Sequence, residues 1–172
     1  MTFIEELKWR NLFKDVTDEE ALSKRMETPM SVYCGFDPTA DSLHIGHLQQ
    51  ILLLKRYLKE GHHPIALIGG GTGMIGDPRP TSERSLQSLE TIQENATAIR
   101  AQIEDIISID GKLENVTVLN NYEWLKELKL LEFLRDYGKF FNINTMIAKD
   151  TIASRLETGI SFTEFSYTIL QA

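Results

Sequence analysis

Residues 32–47 read VYCGFDPTADSLHIGH, and this stretch decides the fold. Val32–Phe36 is a short apolar run of the kind that forms a buried strand, and Asp37–Thr39 is typical of the loop that ends one. The spacing after the loop predicts a helix from Gly46 to Glu60, which Gly61 terminates. The stretch is therefore a strand, a loop and a helix in direct succession.

Two further apolar runs extend this pattern along the chain. Pro64–Ile68 shows no polar alternation, which is typical of a parallel strand covered by helices on both faces. Apolar residues from Leu86 to Ile106 recur at steps of three and four and predict an amphipathic helix, and Val116–Leu119 predicts a third strand. Strands separated by helices indicate an α/β fold with a parallel sheet, in which ligands bind beyond the carboxyl ends of the strands.

Both ends of the chain are predicted to be helical. Thr17-Asp18-Glu19-Glu20 is a capping-box pattern that opens a helix ended by Pro29, and Ser161-Phe162-Thr163-Glu164 is a second such pattern. The helix opened by Ser161 runs into Ala172 without a cap, and a doubly wound sheet normally has more than three strands. We therefore expect the sequence to stop inside a larger domain.

Composition narrows the class of protein. The chain has 172 residues and 42% hydrophobic content, enough for a real core, which excludes a disordered or collagen-like protein. Lys and Arg total 18 against 25 Asp and Glu, a net charge of −7, so no broad basic field is available to hold a polynucleotide. A single cysteine, a start without signal-peptide features and only short apolar runs predict a cytoplasmic protein without membrane spans.

Two histidines mark the start of the helix after the first strand. His44 and His47 stand three residues apart, so their rings share one helix face. A helix N-terminus offers unpaired amides and a positive dipole end, and Gly46 leaves room for a flat base against the backbone. The pattern predicts a nucleotide-binding turn. A zinc pair or a chance surface pair of histidines are the open alternatives.

A glycine-rich loop after the second strand raises a rival class. Gly71-x-Gly73-x-x-Gly76 fits the dinucleotide fingerprint of NAD-dependent oxidoreductases. That fingerprint runs directly into a helix, whereas Gly76 is followed by Asp77-Pro78-Arg79-Pro80. We expect these glycines to allow close approach of the backbone to a substrate instead. No P-loop pattern is present in the sequence.

Longer matches give the chain a family resemblance over its whole length. His44-Ile45-Gly46-His47 resembles the signature of class I aminoacyl-tRNA synthetases. Tyr33–Leu43, Gly76-Asp77-Pro78 and Glu157–Tyr167 resemble bacterial-type tyrosyl-tRNA synthetases. The resemblance implies the N-terminal part of a catalytic domain with a Rossmann-like parallel sheet and flanking helices. Its regions would be an N-terminal helical segment (1–30), the first half of the nucleotide-binding core (31–120), and a helical connective segment with the start of the tyrosine-binding helix (121–172).

The resemblance also implies a reaction and its residues. In the family, the carboxylate of tyrosine attacks the α-phosphate of ATP, whose phosphates carry Mg²⁺, and the tyrosyl group then passes to tRNA(Tyr). The residues matching catalytic positions are Thr39, His44, His47 and Arg84. Those matching ATP contacts are Cys34, Gly35, Asp37, Thr39, His44, Gly46, His47 and Gln50. Tyr33 matches the family residue that contacts the phenol of the substrate. The residues that match contacts to the substrate ammonium are Asp77, Tyr167 and Gln171. No protein metal site is implied.

The residues considered alone leave plainer interpretations open. Cys34 would be a small buried hydrophobe, and Tyr33 and Tyr167 would be packed aromatics. Two positions also depart from the family: Arg79 stands where a lysine is frequent, and Gln50 replaces a smaller residue found in some relatives.

The family's mobile Lys-Met-Ser-Lys-Ser loop and anticodon-binding region are absent from residues 1–172. We therefore expect the chain to be inactive alone, with a non-catalytic nucleotide-binding module as the rival hypothesis. The family's dimer contacts lie in its connective segment, so Phe140, Phe141 and Phe162 are either interface residues of a homodimer or ordinary helix packing.

Overall fold

The computed structural model describes residues 2–77, 87–156 and 159–170. Its strands are β1 (Ser31–Phe36), β2 (His63–Ile68) and β3 (Thr117–Asn120). Its helices are α1 (Phe3–Trp9), α2 (Glu19–Arg25), α3 (Ile45–Lys59), α4 (Leu89–Ile107), α5 (Tyr122–Leu125), α6 (Leu130–Asp136), α7 (Ile143–Ile147), α8 (Asp150–Ala153) and α9 (Phe162–Leu170). Short 3₁₀ turns lie at Thr72–Met74 and Gly138–Phe140.

The three strands form one parallel sheet in the order β1-β2-β3. Cys34 pairs with Ala66, and Ala66 pairs with Val118 across the sheet. Each strand begins and ends within a residue or so of its predicted position. The prediction of an α/β fold with a parallel sheet and flanking helices is confirmed.

The core lies between one face of the sheet and the crossover helices. Phe36, Ala66 and Ile68 pack there with the apolar stripes of α3 and α4, and the buried members of those stripes are Ile51, Leu54, Ala96, Ile99, Ile103 and Ile107. Successive right-handed crossovers that move in one direction along a sheet place their helices on the same side. The packing fixes the carboxyl ends of the strands relative to the first turn of α3.

The opposite face of the sheet is much less covered. Tyr33 is 59% exposed there and Leu119 36%, and Ile65 of β2 is only half-buried. Leu67, on the same face of β2, is nevertheless only 7% exposed, so the second face of β2 is partly covered although both crossover helices pack on the first. An apolar strand is suited to burial on both faces, but the described residues cover only one face of the sheet fully.

Helix starts follow local capping chemistry, with two differences from prediction. The N-cap of α2 is Asp18, whose side chain accepts from the Ala21 N–H over 2.9 Å, so the expected start at Thr17 is wrong by one residue. Ser161 does accept from the Glu164 N–H over 3.2 Å, as the second pattern predicts. The Glu164 carboxylate, however, pairs with Arg155 over 2.9 Å, and both side chains are buried. This ion pair anchors the start of α9.

After β3, all the regular elements of the described residues are helical: the short helices α5 to α9 and the 3₁₀ turn at Gly138–Phe140. Within the described ranges, none of the helices combines the length and the apolar character that crossing a bilayer requires.

Candidate active site

A cavity of about 640 Å³ opens at the carboxyl ends of β1 and β2, where ligands bind in open parallel sheets. Residues from β1, the first turns of α3, the loop after β2, the end of β3 and helix α9 surround it. Its lining consists of Cys34, Gly35, Phe36, Asp37, Thr39, His44, Gly46, His47, Gln50, Leu67, Gly69, Thr72, Asp77, Asn121 and Tyr167.

The two histidines cap the helix that borders the cavity. His44 is the N-cap of α3, and its Nδ1 accepts from the Gly46 N–H over 3.1 Å. Nδ1 of His47 accepts in turn from the His44 N–H over 3.3 Å, and the two rings stack with centroids 3.9 Å apart. Because each Nδ1 accepts, each neutral ring carries its proton on Nε2. The pair therefore keeps an N–H donor on each ring while satisfying the helix start.

Electrostatics favour the neutral form of His47. Burial lowers the pKa of His47 below 6.5, and the neighbouring His44 lowers it further. Burial also raises the pKa of the Cys34 thiol, so Cys34 stays protonated and is not an activated nucleophile. The histidines are thus suited to donate hydrogen bonds to an anion. Among the described residues, no group of three or more His, Cys, Asp or Glu side chains has the arrangement of a metal site.

Asp37 connects the turn before α3 to helix α9. Its Oδ2 accepts from the Tyr167 hydroxyl over 2.8 Å, across 130 positions of sequence. Its Oδ1 accepts from the Thr72 hydroxyl over 3.1 Å. Asn121 Nδ2 donates to Thr72 Oγ1 over 3.1 Å, and Asn121 is 1% exposed. A polar group this deeply buried costs free energy unless its hydrogen bonds are made, and here they are made to the residues of the cavity.

The glycines after β2 are tightly packed against protein side chains. A Cβ on Gly69 would collide with the Asp37 carboxylate and the Thr72 hydroxyl, and one on Gly70 would collide with the Asn120 amide. The first glycines of the loop thus admit the site's own side chains, in addition to the expected approach of a substrate. A three-residue 3₁₀ turn, Thr72–Met74, occupies the place where a dinucleotide fingerprint would open its long helix.

The structure brings most of the predicted site residues together. All eight residues expected to contact ATP line the cavity, as do Asp77 and Tyr167. Tyr33 is not among the residues that line it, and its side chain is 59% exposed. Arg84 and Gln171 lie outside the described residues.

Two polar lining residues, Thr72 and Asn121, escaped the sequence analysis. Thr72 lies within the glycine-rich loop, whose pattern predicts a role for the backbone and gives no signal for a side chain. Asn121 carried a usable signal, because a polar residue directly after a parallel strand lies at the ligand-binding edge of the sheet.

Residues 24–172 match the model of the family described as tRNA synthetases class I (W and Y). The chain belongs to this family. The class I synthetase family is also represented among solved structures by the C-terminally truncated mitochondrial tyrosyl-tRNA synthetase of Aspergillus nidulans, with a TM-score of 0.80 and 30% identity over 99% of this chain and 52% of that chain.

Curated class I synthetases match over the full length of the chain. Tyrosine–tRNA ligase 1 of Enterococcus faecalis is 55% identical over 174 residues, and the tyrosine–tRNA ligase of Desulfitobacterium hafniense is 54% identical over 173. The expected resemblance to bacterial-type tyrosyl-tRNA synthetases is confirmed. The chain spans only 41% of the length of these relatives.

Proposed function

We propose that the intact protein, meaning this chain with any sequence that continues it, is a tyrosine–tRNA ligase that activates tyrosine with ATP. One observation carries the proposal: a single cavity gathers the histidine-capped turn of α3 with Asp77 and Tyr167. The first group suits a phosphate-bearing nucleotide, and the second suits an ammonium. The identity to curated tyrosine–tRNA ligases supports the same assignment.

The proposed chemistry is in-line attack by the tyrosine carboxylate on the α-phosphate of ATP, with pyrophosphate as leaving group. The substrate supplies the nucleophile, so the protein contributes position and charge stabilisation. His44 and His47 offer Nε2–H donors beside the positive end of the α3 dipole, and Thr39 adds a hydroxyl at the same edge. These groups, with Arg84, would stabilise negative charge on the departing pyrophosphate.

Around the nucleotide, we propose that Gly46 and His47 lie against the adenosine with Asp37, while Cys34, Gly35 and Gln50 lie at the ribose end. All of these residues line the cavity. The cation in this reaction is Mg²⁺ carried on the ATP phosphates, as part of the substrate.

At the amino acid end, Asp77 and Tyr167 would bind the substrate ammonium together with Gln171. Tyr33 would hydrogen-bond the phenol, which is the group that separates tyrosine from phenylalanine. Its side chain is 59% exposed on β1, which leaves its hydroxyl accessible to a substrate.

The proposed partners are L-tyrosine, ATP and tRNA(Tyr), in a cytoplasmic homodimer. With a net charge of −7, the chain offers no general basic surface, so tRNA would be held mainly by regions outside it. Phe140 and Phe162 are 77% and 76% exposed, and exposed aromatics of this kind favour a contact surface for the second subunit.

The test is tyrosine-dependent exchange of radioactive pyrophosphate into ATP by the intact protein. Exchange with tyrosine, and none with tryptophan, is the expected result. Absence of exchange together with stoichiometric NAD binding would instead favour the oxidoreductase hypothesis based on Gly71, Gly73 and Gly76. ATP binding by this chain in isolation, without exchange, is the result expected for a part of the enzyme that lacks the remaining catalytic groups.

A further inference from the structure

A chain of hydrogen bonds runs along the cavity from the end of β3 to α9. It connects Asn121 to Thr72, Thr72 to Asp37, and Asp37 to Tyr167. Asn121 and Thr72 are 1% and 2% exposed, so the hydrogen bond between them is shielded from competition with water, while the two bonds to Asp37 are partly buried. Four segments that are distant in sequence are thereby fixed to one another at the site.

Backbone N–H groups fix which atom is the donor and which is the acceptor in each of these hydrogen bonds. Asn121 Oδ1 accepts from the Gly71 N–H over 2.7 Å and from the Thr72 N–H over 3.4 Å, which identifies the other amide atom as the donor nitrogen. That nitrogen faces the Thr72 hydroxyl, which therefore accepts from it. A hydroxyl has one proton, so Thr72 gives its proton to Asp37.

The same donor and acceptor roles extend to the last hydrogen bond of the series, between Asp37 and Tyr167. An ionised carboxylate only accepts, so Asp37 also receives the proton of the Tyr167 hydroxyl. With its proton held in this way, the Tyr167 oxygen acts as an acceptor toward any other group. An alkylammonium ion has donors only, so this orientation is the one that suits the ammonium of an amino acid.

We propose that Thr72 and Asn121 are positioning residues for ammonium recognition: they hold Asp37, and Asp37 orients the Tyr167 hydroxyl to accept from the substrate ammonium. The inference rests on the proposed function, since the ammonium is that of the tyrosine to be activated. Neither residue needs to touch the substrate for this role.

The experiment compares two ligands in the intact protein and its Thr72→Val variant. Valine matches the shape of threonine and removes the hydroxyl that connects Asn121 to Asp37. The ligands are L-tyrosine and 3-(4-hydroxyphenyl)propionate, which has the same ring and carboxylate without the ammonium. Dissociation constants are measured by equilibrium dialysis for tyrosine and by competition for the analogue, with pyrophosphate exchange measured in parallel.

We expect Thr72→Val to weaken tyrosine binding about tenfold and to leave analogue binding within about twofold, the size of losing one hydrogen bond that serves a charged group. Thr72→Ser, which keeps a hydroxyl, restores tyrosine binding. Thr97→Val is the matched control, because Thr97 is exposed on α4 and its hydroxyl bonds only to the Gln93 carbonyl among the described residues. If Thr72→Val is unfolded at the assay temperature, Asn121→Ser carries the same expectation.

Equal weakening of both ligands would assign Thr72 a general structural role and overturn the inference, as would unchanged tyrosine binding. If the unmutated protein shows no tyrosine-dependent exchange, the proposed function fails and the inference with it. Exchange by the unmutated protein, with equal losses for the two ligands in the variant, overturns the inference alone.

Discussion

The two sides of the cavity are built in different ways. On one side, the turn between β1 and α3 is local: its two histidines cap one helix and contact each other within four residues. On the other side, Tyr167 reaches Asp37 across 130 positions, and Asn121 reaches Thr72 across 49. The local side depends on the geometry of one turn, whereas the distant side depends on the docking of α9 and β3. We therefore expect substitutions on the distant side to reduce stability and substitutions on the local side to reduce the reaction rate.

The largest effect is expected where the distant side is anchored. Glu164→Gln would remove the negative charge from the buried ion pair of Glu164 with Arg155, and breaking a buried pair costs about 3 to 5 kcal/mol. We expect the free energy of unfolding to fall by that amount, or α9 to undock locally, measured by urea denaturation and hydrogen exchange of the α9 amides.

The matched control for that change is Glu104→Gln. Glu104 pairs with Arg100 over 2.8 Å on the surface of α4, and exposed helix pairs contribute about 0.3 to 0.5 kcal/mol. If the free energy of unfolding falls by the same small amount in both variants, the buried pair is not the anchor of α9.

A change on the local side should reduce the rate and spare binding. For His44→Ala we expect adenylate formation to slow about 10²- to 10³-fold, as when a donor to developing charge is removed, with little change in tyrosine affinity. Stopped-flow measurement of adenylate formation separates the two. A loss confined to tyrosine affinity would contradict the assignment.

His44→Asn sharpens this test, because asparagine is a good N-cap but lacks the reach of the imidazole. It should restore the roughly 1 kcal/mol of helix-cap stability that alanine loses and leave the reaction slow. Recovery of the rate by asparagine would show that His44 serves only as the cap of α3.

A smaller effect is expected at Tyr33, which belongs to neither side of the described cavity. Tyr33→Phe should weaken the preference for tyrosine over phenylalanine by roughly 1 to 2 kcal/mol, since one buried neutral hydrogen bond to the substrate phenol would be lost. The ratio of kcat/KM for the two amino acids in pyrophosphate exchange measures it. Tyr137→Phe, at an exposed tyrosine beyond α6, is the control, and unchanged discrimination at Tyr33 would remove this residue from the pocket.

The smallest effect is a dependence of stability on pH. His47 has a pKa below 6.5 in the folded protein, so the unfolded chain binds more protons in the window below that value. The contribution of His47 to stability is complete above pH 6.5 and is lost as the pH falls through its lowered folded pKa. Urea denaturation at pH 5 to 7.5 should show that the free energy of unfolding of His47→Gln changes less steeply with pH than that of the unmutated protein. The pKa of His62 is also lowered by burial, and its contribution to the pH dependence remains in both proteins.

Sequence alone predicted the local side well and the distant side only through family resemblance. Strand, turn and helix around His44 follow from apolar periodicity and capping, which act over a few residues. No periodicity indicates that Tyr167 should meet Asp37, because that contact depends on how α9 docks. The same limit applies to the second face of the sheet, where the apolar pattern of β1 could not report that Tyr33 would be left exposed.

The packing around Gly69 and Gly70 has a consequence for how this protein tolerates change. A library that randomises these two codons should return functional clones carrying glycine at both positions, since even alanine would meet Asp37, Thr72 or Asn120. Thr39 and Gln50, exposed at the rim of the same cavity, should accept many more amino acids without loss of folding. Mutational tolerance would then fall steeply from the mouth of the crevice to its floor.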